Sequence, residues 1–123
     1  MRLYKNRMFF KWAKSAGLTD AMLRDAANEI DAGLIEANLG RGLFKKRIAR
    51  NGQGKRGGFR TIALFQKGHR TFFLYGFAKN QRDNLSKQDE AALKKLARNL
   101  LDTPDSKLKD MIINGDLYEV THE

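Results

Sequence analysis

The sequence contains no cysteine, one proline and two histidines among its 123 residues. The absence of cysteine excludes disulfides, thiolate metal sites and cysteine nucleophiles, and it is typical of a protein from a reducing compartment. We therefore expect a cytoplasmic location. No apolar run approaches the ~20 residues that a membrane span needs, so no membrane partner is expected. The basic N-terminal segment also lacks the apolar core of a secretory signal, because Lys11 interrupts the run after Phe10.

Histidine is too scarce for most of the chemistry that depends on it. His69 lies in a predicted turn and His122 lies next to the C-terminus, so no catalytic triad, histidine pair or cluster of metal ligands is evident. We expect no metal and no cofactor. Any catalysis must use Lys, Arg or Tyr side chains, or a group of a bound nucleic acid.

Acidic residues are missing from the middle of the chain. Between Ala37 and Arg82 there is no Asp or Glu, whereas twelve Lys and Arg residues lie there. The remainder has twelve basic and fourteen acidic residues and sums to −2, so this segment accounts for the whole net charge of +10. Positive charge confined to one segment builds a field that can hold a polyanion. Nucleic acid is therefore the expected partner.

The hydrophobic pattern predicts both helices and strands. Thr19 is a good N-cap for a helix over about 20–32, in which apolar residues recur at helical spacing. Ser86 begins a second helix, and Thr103-Pro104 begins a third, shorter one. Four segments have the composition and alternation of strands, and a fifth is extended: Arg7–Ala13, Leu43–Arg50, Gly58–Gln66, Arg70–Ala78, and residues 117–120.

These elements follow one another in the order β-α-β-β-β-α-α, with a possible last strand. The fold class is α+β, with an antiparallel sheet of about four strands packed against helices. A chain of 123 residues has room for one domain of ordinary size. We expect a single domain over residues 1–123, with its core at about 7–101 and a C-terminal helix and tail at 103–123.

Glycines and cations are interleaved over residues 52–60, which read GQGKRGGFR. Glycine allows a phosphate to approach backbone amides, and guanidinium groups bind phosphate oxygens in pairs. The alternative is that Gly57-Gly58 only forms a turn or bulge and that the charges are solvated. A P-loop is excluded, because Lys55 is followed by arginine rather than Ser or Thr and no helix follows.

Arg60 is the most specific candidate of this segment. It begins an otherwise apolar strand on the same face as Ile62 and Leu64, so its guanidinium should either pair with a carboxylate or face a concave site. We favour the site. Antiparallel pairing through the turn at 67–69 would bring the end of the next strand back beside Arg60. Five cations are therefore predicted to converge: Lys55, Arg56, Arg60, Lys79 and Arg82.

Three stretches together resemble a known family. They read KKRIA at 45–49, GKRGGFRT at 54–61 and FFLYGFAKN at 72–80, and the apolar helix Leu93–Leu101 follows them. The pattern resembles the RelE/ParE superfamily of toxins from type II toxin–antitoxin systems, in its HigB-like branch, over about residues 7–101. The resemblance implies a small α+β domain with a RelE-like fold.

The resemblance also implies an activity. Nuclease members of the family enter the ribosomal A site and cut mRNA without a metal, the ribose 2′-OH attacking the adjacent phosphate, and so inhibit translation. On that pattern Arg60 would clamp the scissile phosphate, while Lys79 and Arg82 would stabilise charge or protonate around it. The other cations would bind mRNA or ribosomal RNA: Lys45, Lys46, Arg47, Arg50, Lys55 and Arg56. The implied partners are the ribosome, mRNA and an antitoxin, expected to be a small DNA-binding protein.

The chain departs from the family pattern in one place. Many nuclease members have a tyrosine or histidine shortly after the last central strand, where this chain has Asn84-Leu85, so the general base is unassigned. The superfamily also includes toxins that poison DNA gyrase and cut nothing. Two alternatives to a nuclease therefore stay open: a non-catalytic toxin acting on gyrase, and a basic RNA-binding module without cleavage.

Overall fold

A twisted sheet lies at the centre of the molecule, with helices packed on both of its faces. The computed structural model describes residues 1–50, 54–78 and 85–121, and of residues 50 and 54–57 it describes the backbone alone. Within these ranges the chain forms six strands and four helices. In chain order they are β1 Arg2–Asn6, α1 Arg7–Ala16, α2 Asp20–Asp31, β2 Ala37–Gly40, β3 Leu43–Arg50, β4 Gly54–Gln66, β5 Arg70–Ala78, α3 Lys87–Leu101, α4 Asp105–Ile113 and β6 Leu117–Glu119.

The strands lie in the order β2-β3-β4-β5-β1-β6. All neighbouring pairs are antiparallel except β1 and β5, which are parallel. The predicted α+β class and mostly antiparallel sheet are confirmed. The sheet has two more strands than the expected four. The predicted strand at Arg7–Ala13 is absent, while β1 and β6 extend the sheet on one side and β2 extends it on the other.

One face of the sheet, the first face, is covered by α1 and α2. A buried cluster forms on this face. The helices contribute Phe9 and Ala13 of α1 and Leu23 and Ile30 of α2, and the strands contribute Ile48, Phe59, Ala63 and Phe73. Such residues recur every three or four positions in the helices and every two in the strands, as burial of one side requires.

The opposite face, the second face, is covered by α3 and α4. Leu93, Ala97 and Leu100 of α3 and Leu108 of α4 pack against the sheet. The strand residues of this cluster are Leu43, Ile62, Leu64, Phe72 and Leu74. Phe59 and Ile62 thus belong to opposite layers, and the side chains of β4 on the second face are Arg60, Ile62 and Leu64.

The N-terminal prediction was wrong. Arg7–Ala13 was expected to be a strand, but residues 7–16 form α1. Asn6 caps the helix, its side-chain oxygen accepting the N–H of Phe9 at 2.8 Å, and Gly17 ends it in the left-handed region at φ 78°. The aromatic residues favoured a strand, whereas burial of Phe9 and Ala13 four residues apart favours the helix actually formed.

The other helices agree with the sequence. The Thr19 hydroxyl accepts the N–H of Met22 and begins α2, which ends at Asp31, and Ser86 caps α3 through the N–H of Asp89. α4 begins one residue later than expected, with Pro104 as its N-cap. The segment 34–42, expected to be a linker, contains the four-residue strand β2.

Candidate nucleic-acid interface

Three cations lie side by side on the second face, on β3 and β4. Arg47 lies directly opposite Arg60 in the antiparallel register, and Lys45 lies opposite Ile62. Directly opposed residues of an antiparallel pair have Cβ atoms about 4.5–5.5 Å apart, so these side chains share one surface. We call Lys45, Arg47 and Arg60 the cation cluster.

Electrostatics within the cluster disfavours the charged forms. Burial lowers the pKa of Arg60, and the neighbouring Arg47 lowers it further. Burial likewise lowers the pKa of Lys45, with additional contributions from Arg60 and Arg47. Like charges held at short range repel one another, so an anion bound here would remove part of this cost.

Glu36 supplies a carboxylate beside the cluster. Its Oε2 accepts the backbone N–H of Arg47 at 2.8 Å, and its Oε1 lies 3.9 Å from Nε of the same residue. The backbone N–H of Glu36 donates to the carbonyl of Lys45 at 3.0 Å, which fixes the position of the acid. Glu36 opposes the lowering of the pKa of Lys45 and of Arg60, but the net shift of each stays downward.

Aromatic side chains lie next to the cluster on β5. Phe77 lies directly opposite Arg60, and Tyr75 lies opposite Ile62. Their ring centroids are 6.1 Å apart, and the Tyr75 side chain is half-buried. A half-exposed aromatic ring beside cations is a surface on which a nucleotide base can stack. Tyr75 was not among the residues predicted from the sequence. Its position two residues before Phe77, the partner of Arg60, was the sequence feature that could have indicated it.

Arg60 lies where it was expected in the register but deeper than expected. It is on the same face as Ile62 and Leu64, as predicted, and only 3% of its surface is exposed. The pairing of Phe59 with Ala78 brings the end of β5 beside Arg60. The chain therefore leaves the sheet next to the cluster, although Lys79 and Arg82 themselves lie outside the described residues.

Lys46 lies apart from the other cations of β3. It points to the first face, is 1% exposed, and its Nζ lies 2.6 Å from Oε1 of Glu29 and 2.8 Å from the carbonyl of Leu34. A lysine bound in this way ties β3 to α2, so we remove it from the candidate RNA-binding residues. Its alternation with Phe44 and Ile48 was the sequence signal that it faces the helices.

Three further candidates are described in backbone only. Arg50 lies at the end of β3, and Lys55 and Arg56 lie in β4, which begins at Gly54. Residues 54–58 are thus part of a strand, whereas the sequence suggested a glycine-rich loop. The side chains of these three cations, like Lys79 and Arg82, lie outside the described residues.

Neither a metal-binding cluster nor a membrane-spanning helix is present in the part of the chain that the structure describes. Across residues 1–50, 54–78 and 85–121, no cluster of three or more His, Asp and Glu side chains is placed to hold a metal ion. Over the same ranges no helix has both the length and the apolarity to cross a bilayer.

Comparison with known families agrees with the fold and with the basic face. A family model described as the RelE toxin of the RelE/RelB toxin–antitoxin system matches residues 1–120. No curated protein matches the chain. Assignment to the HigB-like branch stays a prediction. Because the match spans nearly the whole chain, this protein belongs to the RelE toxin family and is the toxin of a toxin–antitoxin pair, with a cognate antitoxin as its partner.

Proposed function

We propose that this toxin is a ribosome-dependent endoribonuclease that cuts mRNA and so inhibits translation. The observation that carries the proposal is the cation cluster, in which Lys45, Arg47 and Arg60 lie on one face of the sheet and repel one another. Family membership supports the same reaction class. The ribosome and mRNA are the proposed partners, and action on them places the protein in the cytoplasm.

The reaction needs electrostatic stabilisation more than any other contribution. The ribose 2′-oxygen forms a bond to the adjacent phosphorus, the bond to the 5′-oxygen of the next nucleotide breaks, and the products carry a 2′,3′-cyclic phosphate and a 5′-hydroxyl. Negative charge accumulates on the phosphorane between these steps. Cations held in place beforehand stabilise that charge without the cost of reorganisation, and the need for a 2′-OH restricts the reaction to RNA.

Each residue of the cluster has a proposed role. Arg60 binds the scissile phosphate, and Arg47 binds a neighbouring phosphate oxygen. Lys45 takes the unassigned role of general base, because the lowered pKa of its ammonium is the direction of shift that makes a lysine able to accept a proton. Tyr75 offers its ring to a base of the mRNA.

The remaining cations keep the roles that the family resemblance gives them. Lys79 and Arg82 would stabilise or protonate around the phosphate. Arg50, Lys55 and Arg56 would bind the mRNA or ribosomal RNA backbone. The antitoxin is proposed to be a DNA-binding protein that neutralises the toxin.

Burial of Arg60 adds a requirement to this proposal. Only 3% of the surface of Arg60 is exposed in the isolated chain, which leaves little of it open to a phosphate in bulk solvent. We propose that binding to the ribosome uncovers it. Cleavage of free mRNA by the isolated chain should therefore be far slower than cleavage of mRNA in the ribosomal A site.

Mapping transcript ends after induction of the chain tests the proposal. We expect translation to stop and new mRNA 5′ ends to appear inside codons, and we expect the Arg60→Ala variant to produce at least about tenfold fewer, because removal of one transition-state contact costs about 2.7–4 kcal/mol. If mRNA stayed intact and DNA breaks appeared, the protein would be a toxin that acts on DNA gyrase and not a nuclease. Normal growth with salt-sensitive RNA binding would leave only an RNA-binding module.

A further inference from the structure

A groove lies on the second face, between α3 and the β2–β3 hairpin, and no residue of the cation cluster lines it. It has a volume of about 400 Å³. Its lining comes from two separate elements: Leu39, Gly40, Arg41 and Leu43 from the hairpin, and Ala91, Lys94, Ala97, Arg98 and Leu101 from α3. That volume is within the range of sites that bind the side chains of a partner.

The floor of the groove is apolar. Leu43 and Ala97 are buried, whereas Leu39 and Leu101 are only partly buried at its edges. Ala91 and Ala97 are small residues six positions apart in α3, and both line the recess. A partner that places apolar side chains here would bury leucine surface that now faces water, at about 25 cal/mol per Å².

The rim of the groove is cationic. Arg41, Lys94 and Arg98 are exposed and border the apolar floor from both sides. Among these residues, Lys94 has an ion pair with Glu90 one turn earlier in α3, at 3.1 Å. Three positive charges around an apolar floor fit a partner that combines carboxylates with apolar side chains.

The hairpin holds Arg41 in a fixed turn. Arg41 has φ 54°, and Gly42 beside it has φ 85°, both in the left-handed region. A Cβ atom on Gly42 would lie 2.8 Å from the carbonyl oxygen of Phe65, and the carbonyl of Gly42 accepts the N–H of that residue at 2.7 Å. A non-glycine residue in the left-handed region is strained, so this turn keeps an arginine at the rim at an energetic cost.

We propose that this groove binds an acidic, apolar segment of the antitoxin. The inference rests on membership of the toxin family and is independent of whether the chain cuts RNA. RNA fits less well, since a phosphate backbone has no apolar groups to cover Leu39 and Leu101. A second copy of the chain also fits less well, because its net charge of +10 would meet a cationic rim.

The test measures the affinity of the purified toxin for its cognate antitoxin, by calorimetric titration without ribosomes. We expect Lys94→Glu/Arg98→Glu to raise Kd at least about tenfold, which corresponds to about 1.4 kcal/mol. The matched control is Lys87→Glu/Lys95→Glu, the same charge change on the same helix outside the groove, which should change Kd less than about threefold. Arg41→Asn should weaken binding from the other side while keeping a residue that tolerates a positive φ.

A second pair of variants tests the floor rather than the charge. Ala91→Trp fills the groove and should also raise Kd at least about tenfold, whereas Ala92→Trp adds the same bulk at an exposed position outside it and should not. Circular dichroism and thermal unfolding of each variant confirm that it folds. These affinities do not depend on RNA cleavage, so the same values are expected even if the toxin is not a nuclease.

Several results would overturn the inference. Groove variants that bind the antitoxin like the unchanged chain, or controls that weaken binding as much, would remove the groove from the interface. Loss of ribosome binding with antitoxin affinity intact would assign the rim to RNA. A change in oligomeric state at unchanged antitoxin affinity would assign the groove to a second copy.

Discussion

Arg60 and Arg70 are equally buried, each 3% exposed, and both lie on the second face of the sheet. Arg70 is surrounded by acceptors. Its guanidinium donates to Gln66 at 2.5 Å, to Asp105 at 3.1 Å, and to the carbonyls of Leu100 and Thr103 at 2.9 and 2.7 Å. Arg60 instead lies opposite another arginine, and its pKa is lowered by burial and by that neighbour.

This difference separates a structural cation from a candidate binding cation. Arg70 holds β5 to the junction of α3 and α4, and its charge is matched by groups of the protein itself. In the cation cluster, positive side chains adjoin one another, which is an arrangement that gains from a bound anion. Lys46 is a structural cation like Arg70, since it is paired with Glu29.

Replacing Arg70 should have the largest effect on stability. Arg70→Met would leave the carbonyls of Leu100 and Thr103 without their donor, and we expect the free energy of unfolding to fall by about 2–3 kcal/mol. Urea denaturation measures this change. An unfolding free energy within about 0.5 kcal/mol of the unchanged chain would contradict the structural role.

Gly76 lies on the first face, where a substitution can lower stability without contacting Arg60 or Arg70. A Cβ atom on Gly76 would overlap Cζ3 of Trp12, the only tryptophan, so Gly76→Ala should lower the free energy of unfolding by about 1–3 kcal/mol. Urea denaturation followed by Trp12 fluorescence measures it. Adding Trp12→Leu should recover part of the loss, and no recovery would show that the clash is not the cause.

A smaller effect is expected where a lysine is matched with a carboxylate. Burial raises the pKa of Asp20, but hydrogen bonds from Lys5 at 2.7 Å and from the N–H of Thr121 at 2.9 Å outweigh it, and the net pKa is lowered. Asp20→Asn should therefore destabilise the chain at neutral pH by less than about 1 kcal/mol.

The pH dependence of that variant has a definite sign. A lowered folded pKa gives stability that is present above the unfolded value of 3.8 and is lost as pH falls through the folded value. The difference between Asp20→Asn and the unchanged chain should shrink in acid, with Asp25→Asn, an exposed carboxyl of the same helix, as control. A difference that grows in acid would contradict the sign.

The subtlest prediction concerns Lys45. Arg60 is the second contribution, after burial, to the lowering of its pKa, so Arg60→Met should raise the pKa of Lys45 toward, but not to, its ordinary value. Because the folded pKa is lowered, the charge of Lys45 costs stability at neutral pH. That cost begins to fall as pH rises through the folded pKa and is gone above the unfolded value of 10.5. Carbon NMR of the lysine side chain measures the shift. An unchanged pKa would show that the charge of Arg60 does not act on Lys45.

Local signals in the sequence predicted much of the fold. The Thr19 cap and helical spacing predicted α2, alternation predicted β3, and the turn at 67–69 predicted the β4–β5 hairpin. The strand β1 was missed because its parallel partner β5 lies far away in sequence, and no local pattern reports such a pairing. β2 was missed because it has four residues, including Asn38 and Gly40, which have little strand propensity.

The candidate site was less predictable than the fold. Alternation placed Lys45 with Arg47 on one face of β3 and Arg60 with Ile62 and Leu64 on one face of β4. It could not show that these faces coincide, that Glu36 would lie beside them or that Arg60 would be buried. Those facts depend on packing across the sheet. The pairing of Lys46 with α2 depends on tertiary contact as well. Its even spacing from Phe44 and Ile48 did indicate that Lys46 lies on the same face of β3 as these two residues.

The central claim is that two equally buried arginines have opposite roles, and one measurement tests it most directly. Cleavage rates on mRNA-programmed ribosomes and unfolding free energies should be measured together for Arg60→Met and Arg70→Met, under conditions in which both variants are folded. We predict that Arg60→Met cuts at least about tenfold more slowly while losing less than about 1 kcal/mol of stability, and that Arg70→Met cuts within about threefold of the unchanged rate. Unchanged cleavage by a folded Arg60→Met variant would contradict the account.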